Sequence, residues 1–275
     1  MTAAARFYYV QEPHALMRQE PMPLSTVVSD AIHSQKVQIL DERNGWLKIA
    51  TEDDGYVGWV KKRSIVELKE DFFAQAKKVG RIHRLKAHLY VETDTEKGPL
   101  FSLGFGSRFE VVNRAHPRWA MVELVSGQLV YIQKGDFSEE EAPMRLDEMV
   151  RFSHRFIGLP YAWGGRSSLD GYDCSGFVQM LYAQMGVQLP RDSKDQFIWK
   201  GFQEVPIEKA GPGDLVFWGK AQDQIRHVGM FVGEGRFIHS TVKENDPSIH
   251  LSELASAEWN GTSETLPFRA ARRLA

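Results

Sequence analysis

The stretch YAWGGRSSLDGYDCSGFVQMLY, residues 161–182, contains the only cysteine of the chain, Cys174. A glycine-rich polar segment precedes Cys174, and a helix-like apolar pattern follows it. The apolar residues that continue this pattern at helical spacing are Phe177, Val178, Leu181, Tyr182 and Met185. The sequence therefore predicts a helix over residues 174–185. It leaves three roles open for the thiol: buried packing, metal binding or nucleophilic attack.

The position of Cys174 favours the nucleophile over simple packing. Asp173 is a good N-cap residue, so Cys174 falls in the first turn of the predicted helix. The unpaired N–H groups and the positive end of the helix dipole are expected to stabilise a thiolate there and to lower the pKa of the thiol. The glycines of the preceding loop let backbone approach the cysteine closely. Inert packing stays the alternative, because free cysteine is among the most buried residue types.

Two histidines downstream are predicted to share one face of a hairpin. A three-residue loop at 233–235 would place His239 opposite Gly229, on the same face as His227, because side chains alternate along strands. The two rings would then be diagonal neighbours. A base and a residue that orients it could thus face Cys174 from one surface.

The same three residues could alternatively bind zinc. Zinc-binding cysteines usually come in close pairs, and this chain has one cysteine, so the spacing matches no common zinc pattern. The sequence therefore predicts no metal site. The remaining histidines have no partner pattern and are expected at surface or satisfied positions: His14, His33, His83, His88, His116, His154 and His250.

Composition narrows the class of protein. A chain of 275 residues is long enough for two or three domains. The net charge of -2 and the absence of a basic tract argue against nucleic acid or an anionic membrane as a main partner. A single cysteine excludes an internal disulfide framework. No signal peptide or membrane-spanning segment is recognisable, which predicts a soluble cytoplasmic protein, although secretion of a processed form stays open.

The N-terminal half is predicted to consist of strands arranged as a divergent tandem repeat of a small β-barrel. Residues 37–62 and 109–136 share their layout of tryptophan, turn glycine and closing aromatic strand. The equivalent positions are Trp46 and Trp119, Gly55 and Gly127, and Trp59-Val60 and Tyr131-Ile132. This layout resembles bacterial SH3 domains, with residues 69–80 joining the two copies.

An acidic segment, SEEEAPMRLDEMV (138–150), marks the change to helical periodicity. Helices followed by short strands give an α+β order. We therefore predict an SH3-like domain over residues 1–68, a divergent SH3-like domain over residues 69–138 and a catalytic domain over residues 139–275.

Five separated motifs of the C-terminal part, in this order, resemble the NlpC/P60 family of cysteine peptidases. They are PYAWGG (160–165), DCSGFV (173–178), LPRDSKDQ (189–196), GPGDLVFW (211–218) and HVGMFVGEGRFIHS (227–240). The resemblance covers about residues 145–273 and implies a papain-like fold. It implies Cys174 as the nucleophile, His227 as the general base and His239 as the residue that orients the base.

The resemblance also implies a substrate class, namely bacterial cell-wall peptides cleaved between γ-D-glutamate and a diamino acid. Paired SH3 domains ahead of the peptidase resemble the cytoplasmic γ-D-glutamyl-L-diamino acid endopeptidases of murein recycling. The expected substrates are short peptidoglycan-derived peptides with a free N-terminal L-alanine. We expect no cofactor and a monomer.

Further site residues follow from the matching motifs. The Tyr161 hydroxyl is expected to join the N–H of Cys174 in binding the oxyanion. Asp173 is expected to bind the ammonium of the substrate, with a purely structural N-cap as the alternative. Arg191 would bind substrate or form a structural ion pair. The other predicted substrate-binding residues are Ser175, Trp163, Asp192, Ser193 and Tyr56. For Tyr56 the alternative, an exposed aromatic residue of a strand without a role in binding, is at least as well supported.

Two other functions stay open at this point. The same cysteine and histidine could serve an amidase or an acyltransferase, because an acyl group can pass to other acceptors. A non-catalytic wall-binding module, with the papain-like domain as an inactive scaffold, belongs to a different class. The presence of Cys174, His227 and His239 argues against that module.

Overall fold

The computed structural model describes residues 5–139, 142–242, 246–259 and 266–275. The chain divides into two compact units, residues 1–142 with 167–169, and residues 143–166 with 170–275. The predicted domain boundary at 138/139 stays a prediction, and the adjoining residues 140 and 141 lie outside the described residues. None of the helices in these described ranges is long and apolar enough to span a bilayer.

The first unit begins with an antiparallel sheet rich in β-branched and aromatic residues. Its strands are β1 Phe7–Val10, β2 His14–Arg18, β3 Val27–Ile32, β4 Lys36–Arg43, β5 Trp46–Thr51, β6 Val57–Lys61 and β7 Ile65–Leu68, with a 3-10 turn at Lys62–Ser64. They lie in the order β3-β2-β6-β5-β4-β1-β7. Alternate side chains such as Val10, Met17 and Ile49 form its core.

A second sheet follows in the same unit. The short helix α1 (Phe72–Gln75) precedes it, and its strands are β8 Val79–Ile82, β9 Lys86–Tyr90, β10 Phe101–Gly104, β11 Arg108–Asn113, β12 Trp119–Glu123, β13 Leu129–Gln133 and β14 Phe137–Glu139. Their order is β10-β9-β13-β12-β11-β8-β14, which repeats the first sheet strand for strand. The predicted repeat is confirmed.

The residues from which the repeat was predicted occupy equivalent positions in the two sheets. Trp46 opens β5 and Trp119 opens β12. Gly55 and Gly127 lie in the following turns with φ of 70° and 78°, a conformation that favours glycine. The two sheets therefore share a layout of strand and turn, although the spacing from tryptophan to turn glycine differs by one residue between them.

The second unit combines helices with an antiparallel sheet, as the α+β prediction required. Its elements are α2 Leu146–Ser153, β15 Arg166–Ser167, β16 Gly171–Tyr172, α3 Cys174–Ala183, α4 Ser193–Phe197, β17 Phe202–Val205, β18 Leu215–Gly219, β19 Ile225–Gly233, β20 Arg236–Thr241, β21 Ser248–Glu253 and β22 Phe268–Leu274, with 3-10 turns at His154–Phe156, Ile207–Lys209 and Gln222–Gln224. The main sheet has the order β17-β22-β18-β19-β20-β21.

Helix α3 differs from the amphipathic helix that the apolar stripe suggested. Its residues from Cys174 to Tyr182 are all buried, including Ser175 and Gln179 between the apolar positions. The helix therefore lies inside the unit rather than on its surface. A helix buried on all sides can accommodate polar side chains only when they find partners, and the Gln179 amide donates to the Leu189 carbonyl at 2.8 Å.

The histidine hairpin closes by a different turn from the one predicted. Gly233 pairs with Arg236, so the loop consists of Glu234 and Gly235, whose φ angles are 53° and 71°. A two-residue loop alone would place the histidines on opposite faces. The pairing shifts between Phe231 and Gly233, and this bulge restores the predicted register nearer the site.

Candidate active site

The first turn of α3 is fixed by its own N-cap. The Asp173 carboxylate accepts a hydrogen bond from the N–H of Gly176 at 2.7 Å. A side chain on Gly176 would not fit, because its Cβ would lie 2.4 Å from the carbonyl oxygen of Gly165. The glycine-rich loop therefore packs directly on the helix start and places Cys174 at the first helical position.

Cys174 faces the strand that carries the first histidine. Its side chain is buried, with 8% of the residue exposed, and its Sγ lies 4.0 Å from the carbonyl oxygen of Arg226. The pairing of β18 with β19 shifts between Trp218 and Gly219, which leaves Arg226 as an extra residue. The bulge therefore brings the backbone next to His227 against the sulfur.

Burial first, and the neighbouring Asp173 carboxylate second, raise the pKa of the Cys174 thiol to about 12. The N–H of Val228, the Arg191 guanidinium and the N–H of Ser175 lower the pKa, but they do not offset burial. The sequence-based prediction of a lowered thiol pKa is therefore wrong, because desolvation outweighs the helix N-terminus. The resting group is a thiol that must lose its proton during attack.

The two predicted histidines are brought together as expected. His227 Nε2 and His239 Nδ1 are 2.7 Å apart, and His239 Nε2 is 3.0 Å from Ser252 Oγ. All three residues are buried. If His227 donates its Nε2–H to His239, its Nδ1 keeps the lone pair that can accept a proton, and His239 donates its Nε2–H to Ser252.

Indole rings enclose the histidine pair. The ring of Trp259 lies 4.8 Å from that of His227 at an interplanar angle of 32°, and Trp218 lies 5.6 Å from it at 47°. The Trp218 Nε1–H donates to the Trp259 carbonyl at 3.0 Å, which ties the two indoles together. This apolar enclosure excludes water from the imidazole and restricts its rotation.

A second polar network lies on the helix side. Arg191 donates to both oxygens of Asp173, at 3.0 and 2.6 Å, and to Ser175 Oγ at 2.9 Å. Ser175 in turn donates to Asp173 at 3.1 Å. The Gln196 amide holds the segment to α3 by donating to the Ser175 carbonyl at 3.1 Å. Arg191 therefore forms an ion pair with Asp173 in this structure, and its role toward substrate stays a prediction.

Tyr161 lies within electrostatic reach of the thiol. Its pKa is raised by burial first, and then by the charge that Cys174 carries when ionised and by the Asp173 carboxylate. The phenol therefore stays protonated at any physiological pH and can donate a hydrogen bond. This placement suits the predicted oxyanion role, which stays a prediction.

The other predicted substrate residues differ in their surroundings. Trp163 is 70% exposed, which leaves its indole available to a ligand. Asp192 and Ser193 are the N-cap and the first residue of α4, and both are half-buried. Tyr56 belongs to the first unit, where it is half-buried against the core of its sheet and lies just before β6 rather than within a strand. Their roles toward substrate stay predictions.

Ser252 and Trp259 are site residues that the sequence analysis missed. Ser252 lies on β21, which no motif marked, and Trp259 follows that strand without any periodic pattern. Trp218 lay in a quoted motif, but its ring contact with His227 depends on the pairing of β18 with β19. Strand register was needed to identify Ser252 and the contact of Trp218, and the path of the chain after β21 was needed to identify Trp259.

The geometry also bears on the zinc alternative. The facing nitrogens of His227 and His239 share a hydrogen bond, so one of these two nitrogens carries a proton in place of a lone pair open to a metal. Within the described parts of the chain, His, Cys, Asp and Glu side chains form no group of three that could hold a metal ion.

Comparison with known proteins identifies the units. Residues 158–263 match the model of the NlpC/P60 family, and residues 17–65 match that of the bacterial dipeptidyl-peptidase Sh3 domain. A gamma-D-glutamyl-L-lysine dipeptidyl-peptidase of Bacillus cereus is 27% identical over 235 residues, covering 80% of this chain and 69% of that protein. The protein of the same name from Bacillus subtilis is 27% identical over 225 residues, covering 78% and 73%.

The fold is shared with a crystal structure of an NlpC/P60 family protein from Bacillus cereus. The TM-score is 0.83 at 22% sequence identity, with 98% of this chain and 99% of that chain covered. The predicted fold class, a catalytic α+β domain preceded by SH3-like sheets, is thereby confirmed.

Proposed function

We propose that this chain, which carries an NlpC/P60 domain over residues 158–263, hydrolyses the γ-D-glutamyl–diamino acid bond of short cell-wall peptides. One observation supports this most. The Cys174 sulfur lies 4.0 Å from the backbone carbonyl oxygen next to His227, and His227 Nε2 lies 2.7 Å from His239 Nδ1. This proximity supports the roles of nucleophile, base and orienting residue that we propose for Cys174, His227 and His239.

The raised thiol pKa determines how the reaction would start. Cys174 Sγ attacks the γ-carbonyl carbon while its proton passes to Nδ1 of His227. The carbonyl electron pair moves to oxygen, where the N–H of Cys174 and the Tyr161 hydroxyl would stabilise the negative charge. His239 keeps the Nε2–H of His227 bonded throughout, so the imidazolium forms without reorientation.

The second half of the reaction reverses these movements. The tetrahedral intermediate collapses, and the C–N bond breaks as His227 protonates the amine of the diamino acid. A thioester then joins Cys174 to the γ-carbonyl. Water attacks the thioester, gives its proton to His227, and the thiolate leaves and recovers that proton.

Amine recognition at Asp173 is part of the proposal. The names of the relatives describe dipeptidyl-peptidases, which is consistent with a free N-terminus two residues before the cleaved bond. Asp173 Oδ1 already accepts from Gly176, Ser175 and Arg191. We therefore infer that the substrate ammonium takes the place of the Ser175 hydroxyl proton, which can rotate away.

The test is a cleavage assay followed by mass spectrometry. The substrates are L-Ala-γ-D-Glu-meso-diaminopimelate, its L-lysine analogue and the N-acetylated form of each. We expect release of L-Ala-D-Glu from the free peptides, little from the acetylated forms and none with Cys174→Ala. A new acyl product in place of the free dipeptide would instead identify an acyltransferase.

Equal cleavage of free and acetylated peptides would remove amine recognition from Asp173 while leaving the peptidase assignment intact. We further propose that the substrates are free peptides in the cytoplasm. Fractionation of cells for the protein and its activity tests this, and activity confined to the culture medium would contradict it.

A further inference from the structure

We propose that Ser252 is a positioning residue for the base, because its hydroxyl oxygen holds His239 in the tautomer that keeps His227 able to accept a proton. The inference rests on the proposed function and extends the site by one residue. It follows from a chain of hydrogen bonds that runs from His227 through His239 to Ser252.

Strand register creates this chain. On β20 and β21, Phe237 pairs with Ser252 and His239 pairs with His250. Ser252 is therefore a diagonal neighbour of His239 on the same face. Although the His250 ring lies closer along the ladder, 5.1 Å from the His239 ring, the His239 Nε2 atom hydrogen-bonds to Ser252 at 3.0 Å.

The tautomer matters because the site is buried. His239 and His227 are 0% and 7% exposed. The productive tautomer of His239 carries its proton on Nε2, where a buried N–H needs an acceptor. Without the Ser252 oxygen, the proton favours Nδ1. Nδ1–H then donates to His227 Nε2, so the His227 proton moves to its other nitrogen and blocks the base.

Among the described residues, the rings of His227 on β19 and His250 on β21 contact the ring of His239. A change at Ser252 must therefore be separated from a change at His250. Phenylalanine at position 250 keeps an aromatic ring against His239 and removes the imidazole, so His250→Phe provides that separation.

The single cysteine offers a test that needs no substrate. Iodoacetamide alkylates Cys174: the S–C bond forms, the C–I bond breaks to release iodide, and the thiol proton passes to His227 and then to solvent. Mass spectrometry follows the rate of this reaction against pH. We expect Ser252→Ala to lower the rate near pH 7 about tenfold, the size expected when a buried donor loses its acceptor. The Ser252→Thr variant keeps a hydroxyl and should stay within about threefold of the wild-type rate.

Ser153→Ala is the matched control, because Ser153 is also buried in this unit and its hydroxyl donates to the Val150 carbonyl at 2.7 Å within its own helix. In ¹⁵N-histidine spectra, Ser252→Ala should shift the His239 signals toward the other tautomer, whereas Ser153→Ala and His250→Phe should not.

Three outcomes would overturn the role of Ser252. The first is that Ser252→Ala keeps the wild-type dependence of the alkylation rate on pH. The second is that Ser252→Ala and Ser153→Ala lower the alkylation rate equally. The third is that Ser252→Thr is alkylated as slowly as Ser252→Ala. Failure of the proposed function looks different, because the wild-type chain would then leave the peptides intact while the alkylation series still reported on Ser252.

Discussion

The two sides of the candidate site hold their functional side chains by different kinds of interaction. The helix side holds Cys174 beside an ion pair, in which Arg191 binds both oxygens of Asp173. The sheet side holds His227 between indoles and bonds it to His239. Charge controls the first side, and shape and hydrogen bonding control the second.

The two sides therefore act on different parts of the reaction: the charges on the helix side shift the pKa of the buried thiol, and the sheet side holds the base. The carboxylate beside the thiol raises the thiol pKa, and Arg191 lowers it again from the same network. Because the sheet side of the site is enclosed by indoles, the imidazole needs fixed partners to take up a proton there. Substitutions on the two sides should therefore fail in different ways.

Arg191→Met should have the largest effect and tests the helix side. It removes one member of a buried ion pair and leaves Asp173 without its cation, so the free energy of unfolding should fall by about 3–5 kcal/mol. Urea denaturation measures this. The double variant Asp173→Asn/Arg191→Met should recover most of the loss, and a double variant as unstable as the single one would show that charge does not control this side.

Gly229→Ala tests shape on the sheet side. The new Cβ would lie 2.6 Å from the Phe237 ring and 3.1 Å from His239 Cβ. Overpacking of this kind should lower the free energy of unfolding by about 1–3 kcal/mol, and kcat should fall beyond the loss of folded protein, since His239 must move. The matched control is Gly135→Ala, whose Cβ meets nothing within 4 Å. Normal kcat in Gly229→Ala would contradict a shape-controlled base.

The pH dependence of stability sharpens the account of the thiol. In the folded protein the thiol pKa is about 12, above its ordinary value of 9.0, so between these values only the unfolded chain loses the proton. Stability should therefore fall as pH rises above 9, by up to about 1.4 kcal/mol per pH unit from this group. Denaturation of wild type and Cys174→Ala isolates the contribution, because the buried tyrosines are common to both. If the free energy of unfolding changed with pH in the same way in both proteins, the raised pKa of the thiol would be contradicted.

Trp259→Phe should have the smallest effect. Phenylalanine keeps a ring beside His227 but less of the stacked area, and aromatic pairs are worth about 0.5–1.5 kcal/mol. We expect kcat to fall a few-fold with little change in KM. Trp199→Phe, which alters a ring contact with Phe202, is the control and should leave kcat unchanged. An equal loss in both variants would assign the effect to stability alone.

Much of the fold followed from local pattern. The turn glycines and tryptophans of the repeated segments predicted two equivalent sheets, because turn type and strand alternation are short-range properties. The helix start at Cys174 followed in the same way from Asp173. The pairing of Arg191 with Asp173 was one of two alternatives, since nothing in the spacing of residues 173 and 191 says that their side chains meet.

The sequence by itself determined the chemical groups, namely one thiol at a capped helix start and two histidines on one hairpin. Only the tertiary structure decided their state. Burial reversed the expected direction of the thiol pKa, because desolvation depends on everything packed around a group. Bulges at Arg226 and near Gly233 set which side chains face the site. Ser252 reached His239 through strand register, and Trp259 reached His227 through the turn that follows β21; both are long-range contacts that local sequence does not contain.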